Sequence, residues 1–375
     1  MRLAPRFALA LVFAVAPAAL LPLAQAQARL TQDLIFSDVA GPDQVCLRER
    51  SGHFLCTELA PEAIGSNGLA VGDVNGDHAV DVVFAAGSGR PNRVCLGDDA
   101  GSFTCSAIET EPTTSVGVAL ADLDRNGTLD AVFSGASNRV CLGDGHGAFA
   151  CNPVNAARGS ADVAIADVNG DGAPDLLFAN TGAPNDVCFG DGAGGFNCQP
   201  MNGNAAESVA VAIGDLNRDG KVDAVFANLE PVPGSNPPHY NSACLGDGTG
   251  RFDCRPINMD LRRSAAVALG DVNHDGNLDA VFANHNQSPN DVCLGDGTGA
   301  FTCHQLGTDE LASSGVALVD LDGDGNLDAI FSSSSPDRKE RNRVCYGDGT
   351  GDFTCTDVSQ DVMESNGVVA AKLTP

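Results

Sequence analysis

The sequence has 375 residues, with 49 Asp and Glu against 21 Lys and Arg, which gives a formal charge of −28 and a pI near 4.3. A chain this acidic repels phosphate backbones and anionic lipid, which excludes nucleic-acid and peripheral membrane binding as first expectations. Hydrophobic residues make up 43% of the chain, enough for a large core, so the charge does not indicate disorder. Length alone suggests two or three domains, but repeat folds that close on themselves do not follow that rule.

The first 28 residues have the composition of a secretory signal peptide. Two arginines precede or flank the start of an apolar stretch over residues 7–23, and small residues then offer cleavage after Ala26 or Ala28. An uncleaved anchor helix is the alternative, which two prolines within the apolar stretch disfavour. We therefore expect a secreted, periplasmic or extracellular protein without membrane insertion. The even count of 14 cysteines fits an oxidising compartment.

Six nine-residue segments divide the rest of the chain into similar units. The segments are 73–81, 122–130, 167–175, 215–223, 271–279 and 320–328. Each follows an apolar run and precedes three further short runs that are rich in β-branched and aromatic residues, with Gly and Asp between them. This arrangement predicts four strands per unit and no long helix, hence an all-β fold.

The two ends of the mature chain supply a seventh unit. Residues 33–56 match the second, third and fourth runs of a repeat, and residues 365–369 match the start of a first run. Four-stranded repeats of this length are typical of a propeller, whose ring is locked when both termini build one blade. An open solenoid would instead need capping ends. We therefore predict one domain, 29–375, that forms a seven-bladed β-propeller of four-stranded antiparallel blades, with the seventh blade closed by both termini.

Phenylalanine and cysteine recur at fixed places in these units. One phenylalanine lies in the second run and another in the fourth run of every unit, which predicts hydrophobic packing between blades. Two cysteines per unit are spaced C-x9-C around a Gly- and Asp-rich turn, so they can face each other across a hairpin. We expect a disulfide bond within each blade, and bridges between blades are the alternative. The pairs are Cys46/Cys56, Cys95/Cys105, Cys141/Cys151, Cys188/Cys198, Cys244/Cys254, Cys293/Cys303 and Cys345/Cys355.

The six nine-residue segments carry the oxygen atoms that a hard divalent cation requires. Position 1 is Asp, positions 3 and 5 are Asp or Asn, position 7 offers its backbone carbonyl, and position 9 is Asp. Calcium takes about six to eight such oxygens at about 2.3–2.6 Å, and the lack of Cys or His at these positions argues against zinc or copper. A set of Asx-rich turns without metal is the alternative, which six copies of one ligand spacing disfavour. We expect about six Ca²⁺ ions, with the ligands Asp73, Asn75, Asp77, Ala79, Asp81, Asp122, Asp124, Asn126, Thr128, Asp130, Asp167, Asn169, Asp171, Ala173, Asp175, Asp215, Asn217, Asp219, Lys221, Asp223, Asp271, Asn273, Asp275, Asn277, Asp279, Asp320, Asp322, Asp324, Asn326 and Asp328.

Two units depart from this pattern. His78 occupies position 6 of the first segment, where the other five segments have glycine, so we expect a strained backbone and weaker metal binding there. The seventh unit has Lys372 at position 1 and keeps only Asp33 at position 9. We expect no ion in that blade, with the Lys372 ammonium in its place.

The D-x-[DN]-x-[DN]-G-x-x-D segment after a strand, set in a seven-unit array over about residues 31–373, resembles the FG-GAP/VCBS repeat family and the N-terminal propeller of integrin α chains. The resemblance implies a calcium-stabilised extracellular propeller that serves in adhesion or ligand binding and is sometimes appended to an enzyme. The literal Phe-Gly and Gly-Ala-Pro signatures occur only sporadically, the cysteine pair is additional, and there is no room for an inserted metal-dependent adhesion domain. Integrin ligand specificity is therefore not implied.

The sequence contains no evident catalytic motif. G-x-S-x-G, H-E-x-x-H and nucleotide-binding loops are missing, and the seven histidines occupy dissimilar repeat positions. We therefore expect a non-catalytic binding or adhesion module that is monomeric and whose partner is an extracellular protein or glycan, not nucleic acid. A secreted hydrolase or lyase acting on polysaccharide, or a sugar-binding lectin, is the alternative.

The partner is expected to contact the loops between the second and third strands. These loops differ most in length from unit to unit, which commonly marks the binding side of a scaffold. The segment 228–243 holds four prolines with His239 and Tyr240, and 332–343 holds four basic residues that could attract an anion; a merely solvated loop is the alternative for each. A serine opens every first strand on this face, and it either binds a small polar molecule or satisfies the strand end.

Overall fold

The fold is an all-β ring. A computed structural model describes residues 32–60, 65–87, 89–98, 100–154, 159–201, 208–229, 240–257, 263–285, 288–307, 312–334, 341–359 and 364–373. These residues form 28 strands and no helix, so none of them belongs to a helix long and apolar enough to cross a membrane. The strands form seven four-stranded antiparallel sheets, which confirms the predicted seven-bladed propeller. The signal peptide predicted for residues 1–28 lies outside the described residues.

Six blades are continuous in sequence, and one is built from both ends of the chain. The chain begins with β1 (Asp33–Asp38), β2 (Gln44–Arg48) and β3 (Phe54–Glu58). Blade 1 holds β4 (Ser66–Gly72), β5 (Asp81–Ala86), β6 (Arg93–Gly97) and β7 (Phe103–Ala107); blade 2 holds β8 (Ser115–Ala121), β9 (Asp130–Gly135), β10 (Arg139–Gly143) and β11 (Phe149–Pro153); blade 3 holds β12 (Ser160–Ala166), β13 (Asp175–Asn180), β14 (Asp186–Gly190) and β15 (Phe196–Pro200). Blade 4 holds β16 (Ser208–Gly214), β17 (Asp223–Asn228), β18 (Ser242–Gly246) and β19 (Phe252–Pro256); blade 5 holds β20 (Ser264–Gly270), β21 (Asp279–Asn284), β22 (Asp291–Gly295) and β23 (Phe301–Gln305); blade 6 holds β24 (Ser313–Val319), β25 (Asp328–Ser333), β26 (Arg343–Gly347) and β27 (Phe353–Asp357). The last strand is β28 (Ser365–Ala371).

The seventh blade, called the closing blade below, has the strand order β28-β1-β2-β3. β28 is its inner strand and pairs antiparallel with β1, from Asp33 opposite Ala371 to Asp38 opposite Ser365. The strand nearest the axis therefore comes from the C-terminal end of the described chain, and the three outer strands come from the N-terminal end. This arrangement confirms the prediction that both termini complete the ring.

Hydrophobic side chains fill the seven interfaces between neighbouring blades. Each interface holds one cluster that draws on both blades; the cluster between blades 3 and 4, for example, includes Leu177, Val187 and Phe226. The phenylalanines of the second strands are at most 1% exposed, namely Phe36, Phe84, Phe133, Phe178, Phe226, Phe282 and Phe331. Those of the fourth strands belong to the same clusters, namely Phe54, Phe103, Phe149, Phe196, Phe252, Phe301 and Phe353. The predicted packing role of both sets is confirmed.

Seven disulfide bonds join the third strand of a blade to its fourth strand. The bonded cysteines lie directly opposite each other in register, as Cys141 and Cys151 do between β10 and β11. All seven pairs follow the C-x9-C spacing, so the predicted pairing within blades is confirmed. Because such bonds persist where thiols are oxidised, the seven bridges indicate an oxidising compartment.

Buried asparagines connect five of the seven blades to the next one. Asn185, just before the third strand of blade 3, accepts a hydrogen bond from Asn180 N at 2.9 Å, and its Nδ2 donates to Ser208 Oγ of blade 4 at 2.9 Å. The same bond recurs in the pairs Asn138/Ser160, Asn241/Ser264, Asn290/Ser313 and Asn342/Ser365. The serines that open the inner strands are at most 2% exposed, namely Ser66, Ser115, Ser160, Ser208, Ser264, Ser313 and Ser365. Of the two roles considered for them, satisfying and joining strand ends is the one that this burial supports.

The closing blade has an aspartate in place of this asparagine. Asp43 is fully buried; its Oδ1 accepts a hydrogen bond from Asp38 N at 2.8 Å, and its Oδ2 accepts one from Ser66 Oγ at 2.7 Å. Burial raises the pKa of Asp43 from its ordinary 3.8 to about 6, although both hydrogen bonds act to lower it. Because the pKa of Asp43 is raised in the folded state, its neutral form favours folding more than its ionised form does. This contribution to the free energy of unfolding is fully present below the ordinary pKa of 3.8 and is lost as the pH rises through about 6.

Replacing Asp43 by asparagine is therefore expected to stabilise the fold at neutral pH. The amide can donate to Ser66 as the asparagines of blades 2 to 6 donate to their serines, and no buried charge remains. A pKa raised from 3.8 to about 6 corresponds to about 3 kcal/mol, so we expect a gain of about 2–3 kcal/mol at pH 7.5 that vanishes near pH 4. Urea unfolding at both pH values measures the gain. The reverse change, Asn342→Asp, should destabilise at pH 7.5, and equal stability of Asp43→Asn and the parent chain there would contradict the prediction.

Candidate metal centres and axial cavity

The aspartate at position 9 anchors each nine-residue segment, called loops 1 to 6 after their blades, to the strands beside it. Asp130 of loop 2 is fully buried, and it accepts hydrogen bonds from Leu123 N and from Gly143 N in the third strand, both at 2.8 Å. The equivalent bonds hold Asp81, Asp175, Asp223, Asp279 and Asp328. Each carboxylate oxygen keeps a second lone pair, so the anchoring leaves these residues able to bind a cation.

The loops are held in shape by hydrogen bonds from their backbone to their own side chains. In loop 2, Asp122 Oδ2 accepts from Gly127 N at 2.9 Å, and Asn126 Oδ1 accepts from Thr128 N at 2.7 Å. The bonds from position 6 to position 1 and from position 7 to position 5 recur in the other five loops. The six loops therefore share one conformation, as the shared spacing predicts.

Three carboxylates converge in each of the two loops that have aspartate at position 3. One oxygen from each of positions 1, 3 and 9 lies within 4.8 Å of the other two. The two groups are Asp122, Asp124, Asp130 and Asp320, Asp322, Asp328. Asp324, at position 5 of loop 6, is outside its group; it accepts from Asn326 N at 2.8 Å and from Asn326 Nδ2 at 2.9 Å. The other four loops have asparagine at position 3, which offers an amide oxygen at the same place.

The converging carboxylates oppose each other's ionisation. Burial raises the pKa of every position-9 carboxyl, to about 6 for Asp279 and Asp328, and other aspartates of the same loop add to the rise. At position 5, the hydrogen bond from position 7 instead holds the pKa of Asp77 below its ordinary value. A bound cation would favour the ionised form of the buried carboxyls. Carboxylate and amide oxygens without nitrogen or sulfur ligands fit a hard divalent cation.

Two positions of each loop adopt the left-handed backbone conformation. Position 6 is glycine in five loops. In loop 1 the residue at position 6 is His78, and it adopts the left-handed conformation with a φ of 73°. Position 4 is left-handed as well, and Arg125, Arg218 and His274 occupy it with φ values of 61°, 60° and 59°. A side chain in this region costs roughly 1–2 kcal/mol per residue. The strain that the sequence predicts at His78 is therefore present, and position 4 adds three strained sites that the sequence analysis did not identify.

Replacing His78 by glycine is expected to stabilise loop 1. The change removes the left-handed strain of a β-carbon, at the cost of a more flexible unfolded chain, so we expect a net gain of about 1 kcal/mol. The contact that is lost, His78 Nδ1 to Asp73 Oδ2 at 3.5 Å, involves a side chain that is 96% exposed and contributes little. Urea unfolding measures the effect, with Gly172→His in loop 3 as the matched reverse change. A destabilised His78→Gly variant would refute the strain argument.

The closing blade keeps the anchor of the loop but not its ligand set. Asp33 is 1% exposed and accepts hydrogen bonds from Arg48 N at 2.8 Å and from Leu373 N at 3.2 Å, as the position-9 residues of the other blades do. Lys372 is exposed, and it forms no ion pair with any described residue. Position 9 thus has a structural role that does not depend on a metal.

A cavity of about 740 Å³ lies on the axis of the ring, where the inner strands begin. Its wall also includes residues that follow the second strands, such as Thr181 and His285, so it opens on the face that carries the loops between second and third strands. The inner strands approach closely here; a Cβ added to Gly68 would lie 2.6 Å from Val116 O. This close approach requires small residues at such places of the inner strands.

Asp162 is the only carboxylate among the described residues that line this cavity. It is the third residue of β12, where the other inner strands have Gly68, Gly117, Ala210, Ala266, Gly315 and Gly367. Asp162 Oδ1 accepts a hydrogen bond from Val163 N at 2.8 Å, and Oδ2 accepts one from Val211 N of blade 4 at 3.0 Å. Burial raises the pKa of Asp162 to about 6 against the effect of both hydrogen bonds. No repeated pattern in the sequence indicates this residue.

Only parts of the two long loops on this face are described. In the first, Asn228 Nδ2 donates to the backbone oxygen of Tyr240. In the second, Arg341 and Arg343 both face Asp357, with N–O distances of 2.8 and 3.8 Å. These two members of the basic cluster are therefore partly neutralised. Residues 230–239 and 335–340, which make up the rest of these two long loops, lie outside the described residues.

Three stretches of the chain, 73–133, 167–226 and 271–331, match the family described as FG-GAP-like repeat. Each stretch begins at position 1 of one loop and ends at the second-strand phenylalanine of the following blade, so together they contain all six loops. These three stretches are FG-GAP-like repeats. No curated protein matches this FG-GAP-like repeat protein in sequence.

Two solved lectin structures share the fold of the FG-GAP-like repeat protein. One is a lectin from Agrocybe aegerita, described as recognising non-reducing terminal N-acetylglucosamine; it has a TM-score of 0.63 and 17% identity over 92% of this chain and 96% of that one. The other is the BP39L lectin from Burkholderia pseudomallei, with a TM-score of 0.63 and 16% identity over 88% of this chain and 96% of that one. At these identities the similarity establishes the fold alone.

Proposed function

We propose that this protein is a secreted, calcium-binding propeller that acts as a non-catalytic binding module for an extracellular glycan or protein. The convergence of carboxylates at positions 1, 3 and 9 carries the calcium part of the proposal, because it brings three negative charges within 4.8 Å of one another. The shared backbone conformation of the six loops extends the argument to about six ions. The seven disulfide bonds and the signal-like first residues support secretion.

The partner is proposed to bind on the face opposite the metal loops. The loops of each blade and the hairpins between its third and fourth strands lie at one end of the ring because consecutive strands are antiparallel. The other end carries the connections of variable length and the opening of the axial cavity. Calcium and the disulfide bonds would hold the blades rigidly while that second face varies, which suits a scaffold for binding.

A lectin is the second candidate, and the two lectins with the same fold favour it. Few aromatic side chains are suited to stack on a sugar ring, since the chain has two tyrosines and no tryptophan. A glycan would therefore be held mainly by hydrogen bonds. Glycan arrays probed with the calcium-loaded protein would detect this mode.

Chelation of calcium is expected to lower the melting temperature markedly. When the free calcium concentration is 100 times the dissociation constant of a site, that site adds about 2.7 kcal/mol to the stability of the folded state. The contributions of several sites add together. Calorimetric titration of the metal-free protein should detect about six Ca²⁺ ions, and Mg²⁺ should replace them poorly because it requires a tighter octahedral site. Unchanged melting in the presence of a chelator would refute the calcium proposal.

The binding module is tested by exchanging residues 230–239 for a short Gly/Ser linker. The exchange stops before Asn241, because Asn241 Nδ2 donates to Ser264 Oγ and joins blades 4 and 5. We expect the exchanged protein to melt like the parent chain and to lose capture of surface glycans or proteins that the parent chain retains. Turnover of a polysaccharide or ester substrate by the calcium-loaded protein would instead support the hydrolase or lyase alternative.

A further inference from the structure

The axial cavity contains a charge that the fold itself does not require. Six of the seven inner strands reach the same conformation with glycine or alanine at the place of Asp162. The two backbone groups that Asp162 accepts from, Val163 N and Val211 N, need an acceptor but not a negative charge. One position earlier on the inner strands of two other blades, a neutral serine hydroxyl accepts from the backbone N–H, as Ser134 Oγ does for Gly117 N at 2.9 Å. A neutral side chain would therefore satisfy the fold.

Within the part of the chain that the structure describes, no cationic side chain forms an ion pair with this carboxylate. Inner strands β8, β12 and β16, which surround it, carry no other ionisable side chain. His285, on the cavity wall, is the other titratable residue among the described lining residues. An ionised carboxylate in a mainly apolar wall without a counter-charge is unfavourable, and a cation brought by a ligand removes that disadvantage.

The size and shape of the cavity limit the class of ligand. Its volume of about 740 Å³ lies within the range of small-molecule sites and is too large for a single ion. The lining of the cavity also includes three polar side chains from other blades, Asn67, Ser314 and Asn366. Val116, which is 39% exposed, provides apolar surface. A compact polar molecule with one positive group therefore fits the wall better than a purely apolar one does.

We propose that the axial cavity binds a small ligand through a primary ammonium group that pairs with the Asp162 carboxylate. The proposal rests on the proposed function, since it assigns a ligand chemistry to the same face of the ring. Each carboxylate oxygen has a lone pair left after its backbone hydrogen bond, so Asp162 can accept from the ammonium without releasing Val163 or Val211. An amino sugar and the amine of a peptide or lysine side chain both supply this chemistry.

Calorimetry with the full mature, calcium-loaded protein tests the proposal. The probes are glucosamine, its neutral counterpart N-acetylglucosamine, and lysinamide. We expect at least one of the two ammonium probes to bind at least 10-fold more tightly than N-acetylglucosamine, and the preference between them identifies the source of the amine. Asp162→Asn should weaken this binding at least 10-fold, since the amide keeps only one of the two acceptor oxygens and loses the charge. Affinity should also fall as the pH drops below about 6, where Asp162 takes up a proton.

Two controls separate a binding defect from a folding defect. Asp253→Asn changes an exposed aspartate of blade 4 that pairs with Arg255, and it should bind like the parent chain. Asp162→Asn removes a buried charge but leaves one of Val163 N and Val211 N without its acceptor, so the two effects oppose each other and the melting temperature in calcium should stay within a few degrees of that of the parent chain. Equal binding of glucosamine and N-acetylglucosamine, undiminished binding by Asp162→Asn, or no binding of any probe would each overturn the proposal. Capture of a partner that depends on residues 230–239 would still stand in those cases, so the two proposals fail separately.

Discussion

A chain that lacks residues 364–375 is expected to lose its cooperative thermal unfolding transition. The deletion removes β28, the inner strand of the closing blade, together with the buried side chains of Val368, Ala371 and Leu373. Burial of an aliphatic side chain contributes about 1.5–3 kcal/mol, so the valine and leucine alone account for about 3–6 kcal/mol, comparable with the whole stability of many domains. The deletion also exposes the edge of β1 at the axis.

Differential scanning calorimetry of the shortened chain in calcium measures this effect. A peptide of residues 364–375 added in trans should restore part of the transition, because it can pair with β1 as β28 does. A chain that ends after Leu373 is the control and should melt like the parent chain, since it keeps β28 and every described residue. An unchanged transition in the shortened chain would show that the ring does not depend on its closing strand.

The second large effect is expected from replacing the position-9 aspartates by alanine. Asp130→Ala leaves the buried Leu123 N and Gly143 N without their acceptor, and each unsatisfied group costs about 1–3 kcal/mol. We therefore expect a loss of about 2–5 kcal/mol even in the presence of a chelator. Asp33→Ala should lose a similar amount, because Asp33 holds Arg48 N and Leu373 N in a blade without a metal loop.

Comparison with a position-1 variant separates anchoring from metal binding. Asp122→Ala removes a proposed ligand from loop 2 but leaves Leu123 N and Gly143 N paired, so it should destabilise in calcium and much less in a chelator. Asp33→Ala should be equally destabilised in both conditions. Urea unfolding in millimolar calcium and in a chelator provides the comparison. If Asp33→Ala were neutral, or if Asp122→Ala lost the same stability in both conditions, the division of roles would be wrong.

The fold could be predicted from the sequence because the repeats express it several times. Seven phenylalanines at one place and seven at another define the two core-facing positions of a blade. The C-x9-C pairs define the register of the outer hairpin, since Cys141 and Cys151 can be bonded only if they lie opposite each other. The partial repeats at the two ends define closure, and the pairing of β28 with β1 confirms it.

Two features could not be predicted from the repeats. The asparagine–serine bonds join residues of different blades, and Asp162 departs from the repeat pattern at one place only. Asn185 and its equivalents recur just before the third strand, but their hydrogen-bond partner is a serine of the next blade, about 23 positions further along the chain. Asp162 occurs once, and a departure from glycine or alanine at one place has no periodicity to draw attention to it. The left-handed φ of Arg125 and Arg218 could not be predicted either. These residues occupy position 4, which provides no ligand, so the ligand spacing gives no indication of its backbone conformation.

The position of the metal loops gives the molecule an electrostatic polarity. The six loops contain 19 of the 49 acidic residues, and six further aspartates begin the hairpins at the same end of the ring, namely Asp98, Asp144, Asp191, Asp247, Asp296 and Asp348. In front of an anionic surface, such a charge distribution turns this end away and presents the cavity first. If the loops bind calcium as proposed, ion loading would weaken this torque, and the local calcium concentration would set how strongly the protein is oriented near such a surface.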